Sequence, residues 1–346
     1  VQQQLLAWIG RVLHDFYRIV RWELMKAVVI DKICNAEELT VKDIEIPKVK
    51  LGWVLVKVMA FGINRSEIMF RSKEAEAPYI NLPRVLGIEC VGIIEDSSDS
   101  HFKKDDKVIA LMGGMGRSFD GGYQEYALLP TKNVFYAKTN LDWIELGAVP
   151  ETFFTAYGSL FECLNLEAND SILVRGGTSA TGIVAIQLAK SIGCKIIATT
   201  RKEEKIEFLK EIGADFVIID NGEISKKVKE IYPKGVSKVL ELVGTNVIDD
   251  SMKTLAHKGI LCLTGILGSK VASSNFDIIK TIPNGCYLTS FFSNYPNQEI
   301  IDKIFNHIEK YNIKPVISKV FNIGEISKAH LLMESNNANG KIVVLV

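Results

Sequence analysis

The chain has 346 residues, with 41 Lys and Arg against 41 Asp and Glu. A balanced charge gives no field to draw it to nucleic acid or to an anionic membrane, and no apolar run reaches the roughly 18 residues of a membrane span. Six cysteines (Cys34, Cys90, Cys163, Cys194, Cys262, Cys286) show no C-x-x-C spacing, so they read as reduced thiols of a cytoplasmic protein, in a chain long enough for two domains.

In chain order, residues 1–24 stand apart. Leu6, Ile9, Leu13, Phe16 and Val20 share one helical face, with Arg11, Arg18 and Arg21 largely off it. Met25 to Ile30 then reads as a natural start opening into a strand, which makes 1–24 an extension, helical or disordered, foreign to the folded core. From Met25 to about Pro150 short apolar runs at 26–31, 53–60, 90–95, 107–111 and 123–129 alternate with turns at Gly52, Gly62, Pro83, Gly87 and the glycines of 113–122. That pattern predicts a compact β-barrel-type domain. Within it Asn64 can cap a helix beginning at Ser66, and Tyr79 and Tyr123 are phenol donors or packing residues.

The stretch Ser171 to Lys190 reads strand, tight turn, helix. Ile172, Leu173 and Val174 enter the turn Gly176 to Gly182, and Ile183, Ala185, Ile186 and Leu188 continue with helical spacing. Glycines at such a junction let the backbone approach a diphosphate, which the helix N-terminal amides then hold. Gly177 and Gly182 fill the outer positions of G-x-G-x-x-G, with Ser179 at the middle one. Ile183 and Val184 stand where a P-loop needs Lys and Ser or Thr, and Thr181 stands where a nucleophile elbow needs Gly. Apolar runs at 195–199, 216–219, 239–243 and 260–263 alternate with helical segments near 202–212, 223–231 and 247–256, so the sheet should be parallel and doubly wound. The second strand runs into Thr199, Thr200 and Arg201 with no acid to accept ribose hydroxyls. Arg201, with Lys205 a turn away, either suits a 2′-phosphate instead or is the solvated basic start of a helix. A further apolar strand, 286–290, leads to Phe291 and Phe292.

A β-rich domain, a dinucleotide-binding domain and a returning tail, in that order, resemble the medium-chain dehydrogenase/reductase superfamily. The residues carrying the resemblance are Gly62-Ile63-Asn64-Arg65-Ser66-Glu67, Leu82-Pro83, Leu86-Gly87-Ile88-Glu89, Gly92, Asp105 to Val108, Gly121-Gly122-Tyr123, Glu125-Tyr126, Thr155-Ala156-Tyr157, the 176–182 turn and Gly340 to Val343. The implied fold is α/β, with a GroES-like β-barrel-type catalytic domain (25–147 and 296–346) and a Rossmann domain (148–295). Zinc members carry a cysteine in the first of these segments and a G-H-E triplet in the second. Here Phe61-Gly62-Ile63-Asn64 and Gly87-Ile88-Glu89 stand there, which implies no metal, as in the zinc-independent, zeta-crystallin-like quinone oxidoreductases.

That branch implies hydride transfer from NADPH to a quinone or an α,β-unsaturated carbonyl. It places Asn64 beside nicotinamide and acceptor, near which Tyr79 and Tyr123 are the candidate catalytic phenol donors. The cofactor would meet Asn64, Thr155, Gly177, Thr178, Ser179, Ala180, Thr181, Gly182, Ile183, Thr200, Arg201, Lys205, Gly244, Gly265 and Phe291. Strand 286–292 would pair two copies into a homodimer. The alternatives are an enoyl-thioester reductase, because Asn64 to Glu67 fits its N-x-S-[DE] segment, and an NADPH-regulated binding protein, which neutral charge and the lack of a basic-aromatic stripe disfavour.

Overall fold

The computed structural model describes residues 24–268 and 277–346. The expected extension falls outside these residues up to position 23, as does 269–276 of the loop after the fifth predicted strand. The chain forms two compact units. One ends at Tyr136 and takes in Val320–Asn336 and Val343–Val346; the other comprises Ala137–Lys319 and Asn337–Ile342.

The first unit holds β1 (Leu24–Ile30), β2 (Val41–Glu45), β3 (Trp53–Ile63), β4 (Arg84–Val85), β5 (Glu89–Asp96), β6 (Lys107–Leu111), β7 (Tyr126–Pro130) and β8 (Val134–Tyr136). Pairing is antiparallel throughout: β1 lies between β2 and β4, while β3 lies between β5 and β7, and β5 continues through β6 to β8. Val54, Val56, Val58, Ala60, Phe61 and Ile63 are all buried, so β3 is the central strand of its sheet. β3 and β5 come close because Gly92 has no side chain; a Cβ there would sit 2.0 Å from the Lys57 carbonyl oxygen. β2 and β8 are not among the predicted strands. β2 has only intermediate and exposed residues, so its place comes from its register on β1, with Val28 opposite Val41, rather than from an apolar pattern. After β3, Asn64 leads into the short helix α1 (Arg65–Met69).

The second unit, after a short helix at Trp143–Gly147, holds α2 (Pro150–Tyr157), then alternates: β9 (Ser171–Arg175), α3 (Ala180–Ser191), β10 (Lys195–Thr200), α4 (Ile206–Glu211), β11 (Phe216–Ile219), α5 (Ser225–Ile231), β12 (Val236–Glu241), α6 (Ile248–Met252), β13 (Leu255–Leu263) and β14 (Tyr287–Ser290). All five pairings are parallel, in the order β11-β10-β9-β12-β13-β14. This is the doubly wound order 3-2-1-4-5-6, whose direction reverses between β9 and β12. Helices cover both faces, so Ile172, Leu173, Val174, Ile196, Ile197 and Ala198 are fully buried and the strands read as continuous apolar runs. β12 ends before the predicted 243 because the Glu241 carboxylate accepts the amides of Val243 (2.6 Å) and Gly244 (3.0 Å) and turns the chain there. The helix expected over 247–256 stops at Met252, and β13 starts early because Leu255 pairs with Val236.

After α7 (Gln298–Tyr311) the chain returns to the first unit with α8 (Ile326–Glu334) and ends on β3, where the Val346 amide donates to the Met59 carbonyl at 3.2 Å. All six cysteines are free. Burial pushes every thiol up: Cys194 to about 11, Cys262 to about 12, and Cys34, Cys90, Cys163 and Cys286 in the same direction.

Candidate active site and cofactor cavity

At the carboxyl ends of the parallel strands, where the strand order reverses, the second unit opens a cavity of about 380 Å³. Its floor is the β9 turn. Gly176 takes φ +91°, a conformation that favours glycine, and its amide donates to Thr199 Oγ1 at 3.0 Å. At Gly182 a Cβ would stand 2.5 Å from the Gly176 carbonyl oxygen, so glycine is what lets α3 pack onto the turn. Ser179, at the middle glycine position, is the N-cap of α3. Its Oγ accepts the Gly182 amide (3.1 Å) and donates to the Gly176 carbonyl (2.8 Å), so one side chain holds both ends of the turn. The remaining first-turn amides have no intrahelical acceptor and suit a phosphate. Ser179→Ala should cost about 1 kcal/mol of stability, read as a lowered urea midpoint with unchanged slope.

Of the expected cofactor residues, Thr178, Thr200 and Arg201 line this cavity, together with Gly176, Thr199, Asp220, Val243 and Val247. Gly177, Ser179, Ala180, Thr181 and Gly182 belong to the turn and the start of α3 beneath it, while the rest have other surroundings. Ile183 is in the core, 1% exposed. Lys205 is buried and outside the cavity lining, and burial and the neighbouring Lys202 charge lower its pKa. Gly244 and Gly265 shape the chain after β12 and β13, and Gly265 lies so close to Leu242 that a Cβ would be 2.1 Å from its carbonyl oxygen. Thr155 donates to Glu151 one turn back (2.8 Å). Phe291 packs on Gly158 and, at 5.6 Å between ring centroids, on Phe154.

Beneath the cavity lies a charged cluster absent from the sequence-based expectations. Arg175, the last residue of β9, is fully buried. Its Nε and Nη2 donate to the two oxygens of Asp220 (2.8 and 2.9 Å), Nη1 donates to Asp250 and Ser251 (both 2.9 Å), and Nη2 reaches the Gly222 carbonyl (3.0 Å). Burial alone would raise the Asp220 carboxyl, but the Arg175 fork outweighs it and holds it below the usual carboxylate range. The sequence signal is an arginine closing an otherwise apolar central strand, a position that requires buried acids as partners.

In the first unit the three expected catalytic residues have different surroundings. Asn64 Nδ2 donates to Glu89 at 2.8 Å and to Glu67 at 3.3 Å. Glu67 also accepts the backbone amides of Asn64 (2.9 Å) and Ile88 (3.2 Å). Both glutamates are buried, at 1% and 0% exposure. Asn64 is thus a helix cap and an amide held by two carboxylates. Tyr123 is wholly buried and stacked on Phe61 at 4.1 Å, with no hydrogen-bond partner for its hydroxyl. That environment gives Tyr123 a packing role rather than the expected donor role. Tyr79 is 72% exposed. Edge-on to Tyr123, 5.8 Å away, is His330 of α8, fully buried with neither ring nitrogen paired. Burial, and then the charge of Arg71, lower its pKa to about 3. Arg71, 1% exposed, is held by Glu334 and the Cys34 carbonyl. Among the described residues no three His, Cys, Asp or Glu side chains stand together as a metal site, and no helix is long and apolar enough to cross a membrane.

Two families match the chain: "Alcohol dehydrogenase GroES-like domain" over residues 50–139 and "Zinc-binding dehydrogenase" over 180–307. The human quinone oxidoreductase is 28% identical over 331 residues, spanning 94% of this chain and 98% of its own. Among solved structures, an NAD-dependent alcohol dehydrogenase is 26% identical with a TM-score of 0.81 over 93% of this chain and 100% of its own. A quinone oxidoreductase of Pseudomonas syringae pv. tomato is 23% identical with a TM-score of 0.82 over the same shares. The antiparallel unit, the 3-2-1-4-5-6 sheet, the glycine turn and these matches converge: the chain belongs to the medium-chain dehydrogenase/reductase superfamily, in its quinone oxidoreductase branch, and is a nicotinamide-dependent oxidoreductase.

Proposed function

We propose that the chain is a zinc-independent, NADPH-dependent reductase that reduces a quinone or an α,β-unsaturated carbonyl. The observation that carries the cofactor choice is the cavity lining, in which Arg201 is the one cation and Asp220, already bound to Arg175, is the one carboxylate among the described residues. NADPH supplies the hydride when bound. The chain's own residues bind and orient it: the 176–182 turn takes the diphosphate, Thr200 and Arg201 take the phosphorylated ribose, and Thr178 lines the wall between them.

Zinc independence rests on the residues that stand in place of metal ligands. Asn64 and Ile88 occupy the cysteine and histidine positions, and Glu67 and Glu89 spend their oxygens on Asn64 and the Ile88 amide. An acceptor that is already electron-poor needs no Lewis acid, only orientation and a dry site. The same reading makes the protein a cytoplasmic homodimer. β14 is the last strand of its sheet, and Tyr287 (58% exposed) and Phe292 (67%) stand out from that region for a second copy to cover.

The test is NADPH oxidation with 1,4-naphthoquinone, an enone and a crotonyl thioester, with and without a zinc chelator. The quinone or the enone should give the highest kcat/KM, unchanged by chelation. A crotonyl thioester reduced much faster than both would make the chain an enoyl-thioester reductase, and loss of rate on chelation would restore zinc.

A further inference from the structure

Asp220, the cavity's one carboxylate among the described residues, is a difficulty for a phosphorylated nucleotide. An acid at the carboxyl end of a parallel strand normally accepts ribose hydroxyls and repels a 2′-phosphate. Asp220 follows β11, two strands from β9 in the sheet order, and lines the same cavity as Arg201. Its oxygens are nevertheless filled. Oδ2 takes Arg175 Nε (2.8 Å) and Thr199 Oγ1 (3.4 Å), while Oδ1 takes Arg175 Nη2 (2.9 Å) and the Gly222 amide (2.8 Å). Four donors match the roughly four acceptor sites of a carboxylate, so none remains for a ribose hydroxyl.

We propose that Arg175, buried below the cavity, is a specificity-determining positioning residue: by saturating the Asp220 oxygens it withholds them from ribose hydroxyls, offsets the charge that would oppose a 2′-phosphate and leaves Arg201 to bind it. This rests on the NADPH reading above. Its geometry also explains why the fork is so fully bonded. Arg175 ties β9 to the chain after β11 through Asp220 and Gly222, and to α6 through Asp250 and Ser251. The Thr199 hydroxyl carries the same bonding to the Gly176 amide, so cavity wall and diphosphate turn share one set of hydrogen bonds.

The experiment measures dissociation constants for NADPH and NADH on the full chain at pH 8, for the native protein, Arg175→Met, Arg175→Lys and the double variant Arg175→Met/Asp220→Asn. Arg175→Met exposes the Asp220 charge and should weaken NADPH roughly ten- to hundredfold while changing NADH less than about threefold. The double variant removes that charge and should restore NADPH to within about threefold. Arg175→Lys keeps the cation but loses the two-point fork, so it should fold where Met does not and still shift the NADPH to NADH ratio by roughly threefold or more. Equal loss of both nucleotides in Arg175→Met and Arg175→Lys, or no rescue by the double variant, would overturn the inference and leave the NADPH reading standing. Equal affinity for both nucleotides in the native protein would overturn that reading and this inference together.

Discussion

Arg201→Ala should raise the dissociation constant for NADPH by one to two decades, about 1.4 to 2.7 kcal/mol, and barely change that for NADH. The local structure isolates the effect. Thr200 is 4% exposed, and its Oγ1 accepts the Lys202 amide at 3.1 Å, which pins the backbone on both sides of Arg201. Lys202 turns its ammonium to Asn337 (2.9 Å), and Lys205 is buried. Removing Arg201 therefore takes away the one cation that lines the cavity among the described residues. NADH has no 2′-phosphate and loses nothing comparable. Fluorescence titration of both nucleotides decides the matter: an alanine variant that binds NADPH as tightly as the native protein would remove Arg201 from the site.

Acid should destabilise the protein from about pH 6.5 downward, and His330 should be a main cause. In the unfolded chain the ring takes a proton near pH 6.5; in the folded chain burial postpones that to about 3. Between those values the unfolded state binds the extra proton, so stability falls as pH drops, by about 1.4 kcal/mol per pH unit for this ring and roughly 3 kcal/mol by pH 4. Asp220 acts in the same direction only at lower pH: its depressed carboxyl contributes stability that is present above about 3.8 and is lost as pH falls through its folded value. His330→Phe keeps an aromatic ring against Tyr123 and removes the titration. Urea midpoints at pH 4.5, 5.5, 6.5 and 7.5 should then give a flatter profile than the native chain below 6.5. Parallel profiles would acquit His330.

The alternation of apolar runs and helical segments from 171 to 263 made the parallel sheet legible, because strands buried on both faces carry their burial in composition. The glycine turn was legible for the same kind of reason: Gly176 and Gly182 stand where no other residue fits. What stayed hidden depended on partners distant in sequence. Arg175 finds Asp220 and Asp250, 45 and 75 residues on. Tyr123 looked like a phenol donor because nothing near it in the chain announces Phe61 stacked on one face and His330 against its edge. Asn64 carried two readings at once, and the structure gives it a helix to cap and two carboxylates to hold its amide. β2 escaped because its register on β1, not its own pattern, makes it a strand.

The six raised thiols bear on how such a catalyst survives its work. Quinones and unsaturated carbonyls are electrophiles that add to thiolate sulfur, and the rate follows the fraction ionised and the access to it. Cys90, Cys194 and Cys262 are buried, and in all six positions burial keeps the proton on sulfur further into alkaline pH than in free cysteine. Under the proposed function the chain thus presents its acceptors at neutral pH with little nucleophilic sulfur of its own, and the packing around Cys90, Cys194 and Cys262 would also shield them from alkylation.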